Sequence, residues 1–272
     1  MSEYEAVPWS RLVTRVLAPN PGPMTLDGTN SLVARDPGSP RTIVVDPGPA
    51  DAAHLGRIRE LGDPELILLT HHHLDHTEAA AEFAAATGAP VRAFDEGLCI
   101  GAPPLRDGEL IEAAGVSLRV LATPGHTADS VSFHLPDDAA LDGADAGHGS
   151  VLTGDTILGR GTTVILPPEG SLADYFSTLD ALEAIGPALV LPAHGPRLPD
   201  LTAIVAEYRG HRRTRLGEVA AAIERMRATG QEVTVAAVTD AVYADVPANV
   251  RFAAEATVRA QLDYLGGSAD IV

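Results

Sequence analysis

The most informative segment of this chain is Thr70-His71-His72-His73-Leu74-Asp75-His76-Thr77. It places four imidazoles and one carboxylate within six residues, directly after the apolar run Leu66 to Leu69. Neutral imidazole and ionised carboxylate are good ligands for divalent ions such as zinc and iron. One ion cannot use all of these groups, and residues this close in sequence cannot complete a closed site. We therefore expect further ligands from remote parts of the chain.

The remote ligands are expected in loops that follow predicted strands, where open sheets with helices commonly carry their chemistry. Three such loops contain His126, Asp155 and His194. Together with four ligands from the histidine-rich stretch they make seven, which fits two ions that share one bridging carboxylate. His71 and His73, two residues apart, can converge on one ion, whereas Asp75 and His76 turn toward the other.

The first two hundred residues alternate short β-branched runs with turns rich in Pro, Gly and Asp, a pattern typical of strands. The predicted strands are Leu12 to Leu17, Asn30 to Ala34, Thr42 to Val45, Leu66 to Leu69, Val116 to Leu121, Ser130 to Leu135, Ser150 to Thr153 and Ala188 to Leu191. Helical patterns lie between some of them, at Asp51 to Leu61, Glu78 to Thr87 and Leu172 to Ile185. Strands interspersed with helices predict an α/β layered domain.

Beyond Asp200 the pattern becomes almost purely helical. The predicted helices are Ile204 to Thr229, Val235 to Tyr243 and Asn249 to Leu265. Three helices packed together make a small separate lobe. We therefore predict a catalytic domain over residues 1–205 and a helical C-terminal domain over residues 206–272.

The order of the metal-binding residues resembles the signature of the metallo-β-lactamase superfamily, over roughly residues 10 to 200. The matching motif is His71-x-His73-x-Asp75-His76, followed in order by His126, Asp155 and His194. The resemblance implies an αββα sandwich with the site at one edge. It also implies two sets of metal ligands joined by a bridging Asp155: His71, His73 and His126 for the first ion, and Asp75, His76 and His194 for the second.

Further segments resemble the β-lactamase-like protein 2 group of this superfamily. They are Gly28-Thr29-Asn30, Val45-Asp46-Pro47-Gly48, Thr123-Pro124-Gly125-His126-Thr127, the region from Thr153 to Val164, and Tyr208-x-x-His211-Arg212. The resemblance implies a small winged-helix-like C-terminal domain; the group includes endoribonucleases, and related fungal enzymes hydrolyse acyl-carrier thioesters. Two features depart from the pattern. Glu78-Ala79 replaces the usual pair of small residues, and the tail ending in Asp270-Ile271-Val272 leaves little chain for a wing.

Residues around the predicted ligands have weaker assignments. Asp46 is expected to accept a hydrogen bond from a liganding imidazole, because metal-bound histidines normally donate their other ring N–H to such a partner. Thr127 and Thr162 are predicted either to contact substrate or to stabilise turns at strand ends. His211 is predicted either to orient substrate or to form an interdomain hydrogen bond. The histidines predicted to lie outside the ligand set are His54, His72, His134 and His148.

Composition limits the partners of this chain. All 19 basic residues are arginine, against 37 acidic residues, which gives a formal charge of −18. A nucleic-acid-binding protein usually shows the opposite balance. The acidic start, the lack of an apolar segment of about 20 residues and the single cysteine, Cys99, predict a cytoplasmic protein that has no membrane contact and no intramolecular disulfide.

The predicted activity is metal-dependent hydrolysis of an ester, a thioester or a related small acyl substrate. Two zinc ions about 3.5–4 Å apart can hold a shared water and lower its pKa toward about 7, with iron and manganese as alternative metals. The resulting bridging hydroxide is the nucleophile, and Asp75 is expected to accept or orient its proton.

Three alternative functions are open at this point. Cleavage of single-stranded RNA is motivated by the group resemblance and by the arginines between Arg209 and Arg215. An iron-dependent oxidoreductase is disfavoured because the second metal set is complete. A DNA-binding regulator is disfavoured because residues 209–272 hold eight arginines and eight acidic residues, so helix packing or homodimerisation is the simpler role for the tail.

Overall fold

Two β-sheets lie face to face in this protein, and the computed structural model describes residues 5–141 and 147–266. The first sheet contains, in spatial order, β1 (Ala6–Pro8), β2 (Val13–Leu17), β3 (Asn30–Ala34), β4 (Arg41–Val45), β5 (Asp63–Leu68) and β6 (Val91–Arg92). The second contains β7 (Leu110–Ala113), β8 (Val116–Ala122), β9 (Val131–Leu135), β10 (Ser150–Gly154) and β11 (Leu189–Pro192), also in chain order. The helices are α1 (Ala52–Arg59), α2 (Leu74–Thr77), α3 (Ala80–Thr87), α4 (Leu172–Glu183), α5 (Leu201–Thr229), α6 (Val235–Val242) and α7 (Arg251–Tyr264).

Apolar side chains on the central strands alternate between two buried faces. On β5, Leu66 and Leu68 point into the layer between the sheets, whereas Ile67 packs with residues of α1 and α3. On β11, Leu189 lines the same inner layer and Val190 packs with α4 and α5. Successive side chains of a strand point to opposite faces, so each sheet is covered on one side by its partner sheet and on the other by helices. The predicted αββα sandwich is confirmed.

Parallel strand pairs bring three of the predicted ligands to one edge of the sandwich. β4 pairs in parallel with β5, and β10 pairs in parallel with β11. His71, Asp155 and His194 each follow the carboxyl end of one of these strands. An isolated β-bridge between Thr29 and His194 ties the first sheet to the second at this edge.

The eight predicted strands are present, with ends shifted by at most three residues. Strands β1, β6 and β7 are absent from the prediction. They contain three, two and four residues, which is too short for an alternating pattern to show, and each lies at the edge of its sheet. The helix predicted from Glu78 begins at Ala80 instead, as α3. A separate one-turn helix, α2, begins at Leu74 and carries two of the predicted ligands.

The C-terminal helices form their own cluster but remain continuous with the sandwich. Helix α5 is a single helix of 29 residues, so the predicted division between residues 205 and 206 lies inside it. Its second half packs with α6 and α7 through Val219, Met226, Val238, Val258 and Leu262. Within residues 147–266 no strand follows β11, so the wing implied by the group resemblance is not part of the described structure. None of the described helices combines the length and apolarity needed to span a bilayer.

His54 is a buried histidine in α1. Its backbone N–H donates to the capping Asp51 Oδ1 at 2.8 Å, and its Nε2 lies 2.9 Å from Ser31 Oγ. Burial disfavours the imidazolium and lowers the pKa of His54 to about 4 from its usual 6.5. The unfolded chain binds this proton more readily than the folded protein. The resulting stabilisation is therefore complete above pH 6.5 and is lost as the pH falls toward 4.

The His54→Gln variant is expected to lose part of the acid sensitivity of folding. Between pH 6.5 and 4 the unfolding free energy of the variant should fall less steeply than that of the wild type. The two slopes should differ by up to about 1.4 kcal/mol per pH unit, which is the contribution of one proton. Urea unfolding across this range measures the slope. His134→Gln, at a partly exposed position on β9, should retain the wild-type slope; a wild-type slope in His54→Gln would contradict the assignment.

Candidate metal centre

The histidine-rich stretch reaches the edge of the sandwich at the end of β5 and turns at once into α2. His71 follows the strand and is buried, and His73 is the residue before the first turn of α2. Asp75 and His76 lie within that turn, where adjacent side chains diverge by about 100°. This local geometry directs His71 and His73 to one side and Asp75 and His76 to another.

Three nitrogens converge to form the first predicted ligand set. His73 Nδ1 lies 3.0 Å from His71 Nε2 and 3.2 Å from His126 Nε2. His126 is carried by the loop between β8 and β9. Ligands about 2.0–2.1 Å from a tetrahedral zinc ion lie about 3.3 Å from one another. The three nitrogens are therefore spaced as ligands of a single ion.

The second predicted set contains one carboxylate and two imidazoles. Asp75 Oδ2 lies 3.3 Å from His76 Nε2 and 3.1 Å from His194 Nε2. Asp155 lies between the two sets, because its Oδ1 is 3.2 Å from His194 Nε2 and its Oδ2 is 3.7 Å from His126 Nε2. The structure thus brings together all seven residues predicted as ligands.

Each of the five histidines has an acceptor near the ring nitrogen that faces away from the site. Nδ1 of His126 lies 2.7 Å from the Val164 carbonyl, and Nδ1 of His194 lies 3.1 Å from the Gly28 carbonyl. His73 Nε2 lies 3.5 Å from a carboxylate oxygen of Glu169. Such partners hold the proton on the outer nitrogen and leave the inner lone pair free for a metal ion.

Asp46 orients the remaining two histidines. Its Oδ2 lies 2.8 Å from His76 Nδ1 and accepts a hydrogen bond of 2.7 Å from Thr70 Oγ1, and its Oδ1 accepts from the Thr70 N–H. Thr70 Oγ1 in turn lies 3.0 Å from His71 Nδ1. One carboxylate therefore holds a histidine of each set, directly or through Thr70. The backbone of Asp46 has φ +52°, a left-handed conformation that non-glycine residues rarely adopt and that often occurs at functional sites.

The polar atoms inside the centre fit a divalent cation. His76 Nε2, His194 Nε2 and Asp155 Oδ1 are buried and make no hydrogen bond within the described residues. Buried polar atoms are almost always paired, so three such atoms facing one another call for an absent partner. Imidazole nitrogens and carboxylate oxygens are ligands that zinc, iron and manganese accept. The residues present therefore fit the metal ions that the motif implies.

The titration of these residues follows from burial and from the two carboxylates. Burial lowers the pKa of His71 and His126, and neighbouring imidazoles lower that of His71 further. Burial also opposes the imidazolium of His194, but Asp155 and Asp75 outweigh it and raise the pKa of His194 to about 9. A proton and a metal ion thus compete for His194, so we expect metal binding to release protons.

The residues with weaker assignments around the ligands, and His72 between them, lie in different settings. Thr127 is fully buried, with its Oγ1 2.7 Å from Ser130 Oγ, which is the turn role rather than the substrate role. Thr162 is partly exposed on the loop after β10. His211 is exposed and makes no hydrogen bond within the described chain, so neither predicted role is visible for it. His72 is half-exposed but is not simply solvated, since its Nδ1 lies 2.8 Å from Asp129 Oδ1.

Two residues of α5 form hydrogen bonds to the loop between β10 and α4, which contributes to the metal centre. Tyr208 Oη accepts a hydrogen bond of 3.0 Å from the Leu158 N–H, on the loop that begins with Asp155. Four residues later on the same helix face, the buried Arg212 donates to the Thr163 carbonyl at 2.5 Å. Thr163 Oγ1 lies 3.1 Å from His126 Nδ1. The motif Tyr208-x-x-His211-Arg212 therefore positions site loops.

The Arg212→Met variant is expected to weaken zinc binding at the first ligand set by about tenfold, the lower end of what loss of an outer contact causes. Removal of the guanidinium group leaves the Thr163 carbonyl without its donor. The loop whose Thr163 and Val164 contact His126 Nδ1 is then less firmly held. Competition with a chromophoric chelator measures the affinity. Arg213→Met, one residue further along α5 and exposed, is the matched control. Equal affinities in the two variants would show that Arg212 does not act on the metal set.

An αββα sandwich that gathers five histidines and two aspartates at its strand ends defines a metal-dependent hydrolase. The family model described as "Metallo-beta-lactamase superfamily" matches residues 24–194, and the chain belongs to this family.

Similar proteins support this membership. The Beta-lactamase-like protein 2 homolog of Caenorhabditis elegans is 33% identical over 270 residues, covering 94% of this chain and 84% of that protein. The atrochrysone carboxyl ACP thioesterase of Aspergillus chevalieri is 32% identical over 256 residues, covering 88% and 75% of the two chains. The crystal structure of a metallo-β-lactamase family protein from Thermus thermophilus has the same fold, with a TM-score of 0.72, 23% identity and 94% coverage of both chains.

Thr70 and Glu169 each lie close to a predicted histidine ligand, but neither is among the site residues predicted from the sequence. Thr70 directly precedes His71, a position that a search for hydroxyl partners of the ligands would find. Glu169 lies 96 residues beyond His73 on the loop before α4 and carries no local signal.

Proposed function

We propose that this protein is a dinuclear zinc-dependent hydrolase acting on a thioester or a related small acyl substrate. The residues that would hold the ions are the two sets described above, with Asp155 shared between them. Iron and manganese are the alternative metals.

The position of Asp155 is the observation that carries this proposal. One of its oxygens faces His194 and the other faces His126, at 3.2 and 3.7 Å. A carboxylate that directs one oxygen to each ligand set has the arrangement required of a bridging ligand. The outward hydrogen bonds of the histidines support pre-organisation of both sets.

Bound at these sets, two divalent ions supply an ionised water at neutral pH and positive charge beside the acyl oxygen. We assign to Asp75 the role of holding the proton of the nucleophile, because 28% of its side chain is exposed while His76 and His194 are buried. Burial opposes the ionised form, but the two neighbouring imidazoles outweigh it and hold the pKa of Asp75 well below its usual range. Asp75 therefore accepts rather than donates a proton at neutral pH.

The ion pairing and burial of the arginines between Arg209 and Arg215 favour an acyl substrate over RNA. Arg209 and Arg215 form ion pairs of 2.7 to 2.9 Å with acidic residues of α4 and α5, and Arg212 is buried. Only Arg213 of this group is exposed and without an ion pair in the described residues, which leaves little charge to bind a phosphate backbone. A relative named as an acyl-carrier thioesterase also supports a thioester substrate.

The experiment that tests the proposal is a screen of purified, zinc-loaded protein against thioester, lactone, lactam and phosphodiester substrates. We expect the highest kcat/KM with an acyl thioester and loss of that activity in the Asp75→Ala variant. Preferential cleavage of RNA oligonucleotides, falling steeply with added salt, would overturn the acyl assignment in favour of ribonuclease activity. Turnover that survives in Asp75→Ala would contradict the assignment of the site.

A further inference from the structure

A pocket of about 320 Å³ lies beside the loop that follows β11, and three arginines line it, Arg15, Arg160 and Arg197. Asp27 is the acidic residue among its lining residues. The lining thus carries two more positive than negative charges, on a chain whose formal charge is −18. A positive concavity concentrates anions, most clearly where the rest of the surface repels them.

Arg15 and Arg197 form no ion pair in the described residues: no carboxylate oxygen lies within 4.0 Å of either guanidinium group. The Arg15 guanidinium lies over the Trp9 ring, 5.5 Å from its centroid, and its Nε is buried without a hydrogen-bond partner among the described residues. Arg197 Nη1 donates to the Trp9 carbonyl at 2.7 Å. Both guanidinium groups are therefore held beside Trp9, with N–H donors left for an oxyanion.

Arg160 differs from the other two because it already has an acidic partner. Its Nη2 lies 2.7 Å from Asp27 Oδ1, and both side chains are more than half exposed. This pair leaves Arg15 and Arg197 as the lining arginines without an ion pair in the described residues.

Asn30 is a fixed, buried residue of the pocket wall. It is only 1% exposed, and its Nδ2 donates to the carbonyls of Pro192 and Gly195, both at 2.9 Å. These two bonds fix the orientation of the amide. Its Oδ1 is left buried and without a partner in the described chain, although buried acceptors are almost always paired.

We propose that this pocket binds a small organic anion, whose carboxylate or phosphate group is held by Arg15 and Arg197. Guanidinium groups match carboxylate and phosphate equally well in geometry. A volume near 320 Å³ lies at the lower end of ligand pockets, which indicates a small metabolite. The proposal does not depend on the hydrolase activity or on bound metal.

Trp9 is the only tryptophan of the chain, so emission excited at a wavelength that tyrosine does not absorb comes from the side chain that lines this pocket. Full-length protein is titrated with potassium phosphate or sodium succinate at an ionic strength kept constant with sodium chloride. We expect a saturable change in Trp9 emission with at least one of them. A response to phosphate alone identifies a phosphate site, and a response to succinate alone identifies a carboxylate site.

The variants Arg15→Gln and Arg197→Gln should weaken the binding by about tenfold or more, since each removes a charged donor. Arg225→Gln, at an exposed position of α5, is the matched control and should bind as the wild type does. Calorimetric titration of the same samples avoids any effect of the substitutions on Trp9 brightness. No saturable binding of either anion, or unchanged binding in both pocket variants, would overturn the proposal. Binding lost in Asp75→Ala but kept in Arg15→Gln would place the anion at the metal centre and would also overturn it.

Discussion

Replacement of Asp75 by alanine is expected to lower kcat/KM for acyl hydrolysis by roughly 10²- to 10⁴-fold, the range typical of losing a group that transfers a proton. Asp75 combines partial exposure with a position 3.1 Å from His194 and 3.3 Å from His76. Its loss would remove a predicted ligand of the second set and the proposed proton acceptor. The His126→Ala variant should be similarly inactive, because the first set then keeps two histidines.

Steady-state kinetics on the best thioester of the screen measure this effect, and circular dichroism with thermal melting shows that the variants fold. Glu82→Ala is the matched control, since Glu82 is an exposed carboxylate on α3 outside the ligand sets. It should retain wild-type turnover. Undiminished turnover in Asp75→Ala or His126→Ala, with a native fold, would refute the site assignment.

Replacement of Asp155 by alanine is expected to lower the zinc content from about two ions to fewer than about one per chain. Asp155 is the carboxylate whose two oxygens face both ligand sets, so its removal takes one ligand from each ion. A variant that loses a ligand of one set alone should keep the other ion better. Elemental analysis after dialysis against metal-free buffer measures the content.

Asp129→Ala is the matched control for this substitution. Asp129 is an aspartate close to the centre that pairs with His72, outside both ligand sets. Its variant should keep about two ions per chain if Asp155 has the proposed role. Equal zinc contents in Asp155→Ala and Asp129→Ala would show that Asp155 is not the shared ligand.

Local sequence patterns were sufficient to predict an α/β layered domain with metal ligands on loops at strand ends, whereas the αββα sandwich was implied by the resemblance to the superfamily. The apolar runs of β3 and β5 are continuous because both faces of each strand are buried. The ligands follow strand ends, so their meeting at one edge could be predicted from the order of strands and loops. The short edge strands β1, β6 and β7 could not be predicted, because too few residues alternate.

Contacts between remote residues could not be predicted in the same way. The Val164 carbonyl that faces His126 is a backbone group, which has no sequence signature. The buried position of Arg212 is also hidden, because its neighbours Arg209 and Arg213 suggest a basic surface. Only the packing of α5 under the loops of the centre shows that this arginine acts within the fold.

Metal analysis of protein purified without added metal tests the central claim most directly. The account predicts about two zinc ions per chain, because two sets of potential ligands lie on either side of Asp155 and their donors suit zinc. The same preparation should lose its acyl hydrolysis on chelation and regain it when zinc is restored. One iron ion per chain, with no second metal, would contradict the dinuclear hydrolase.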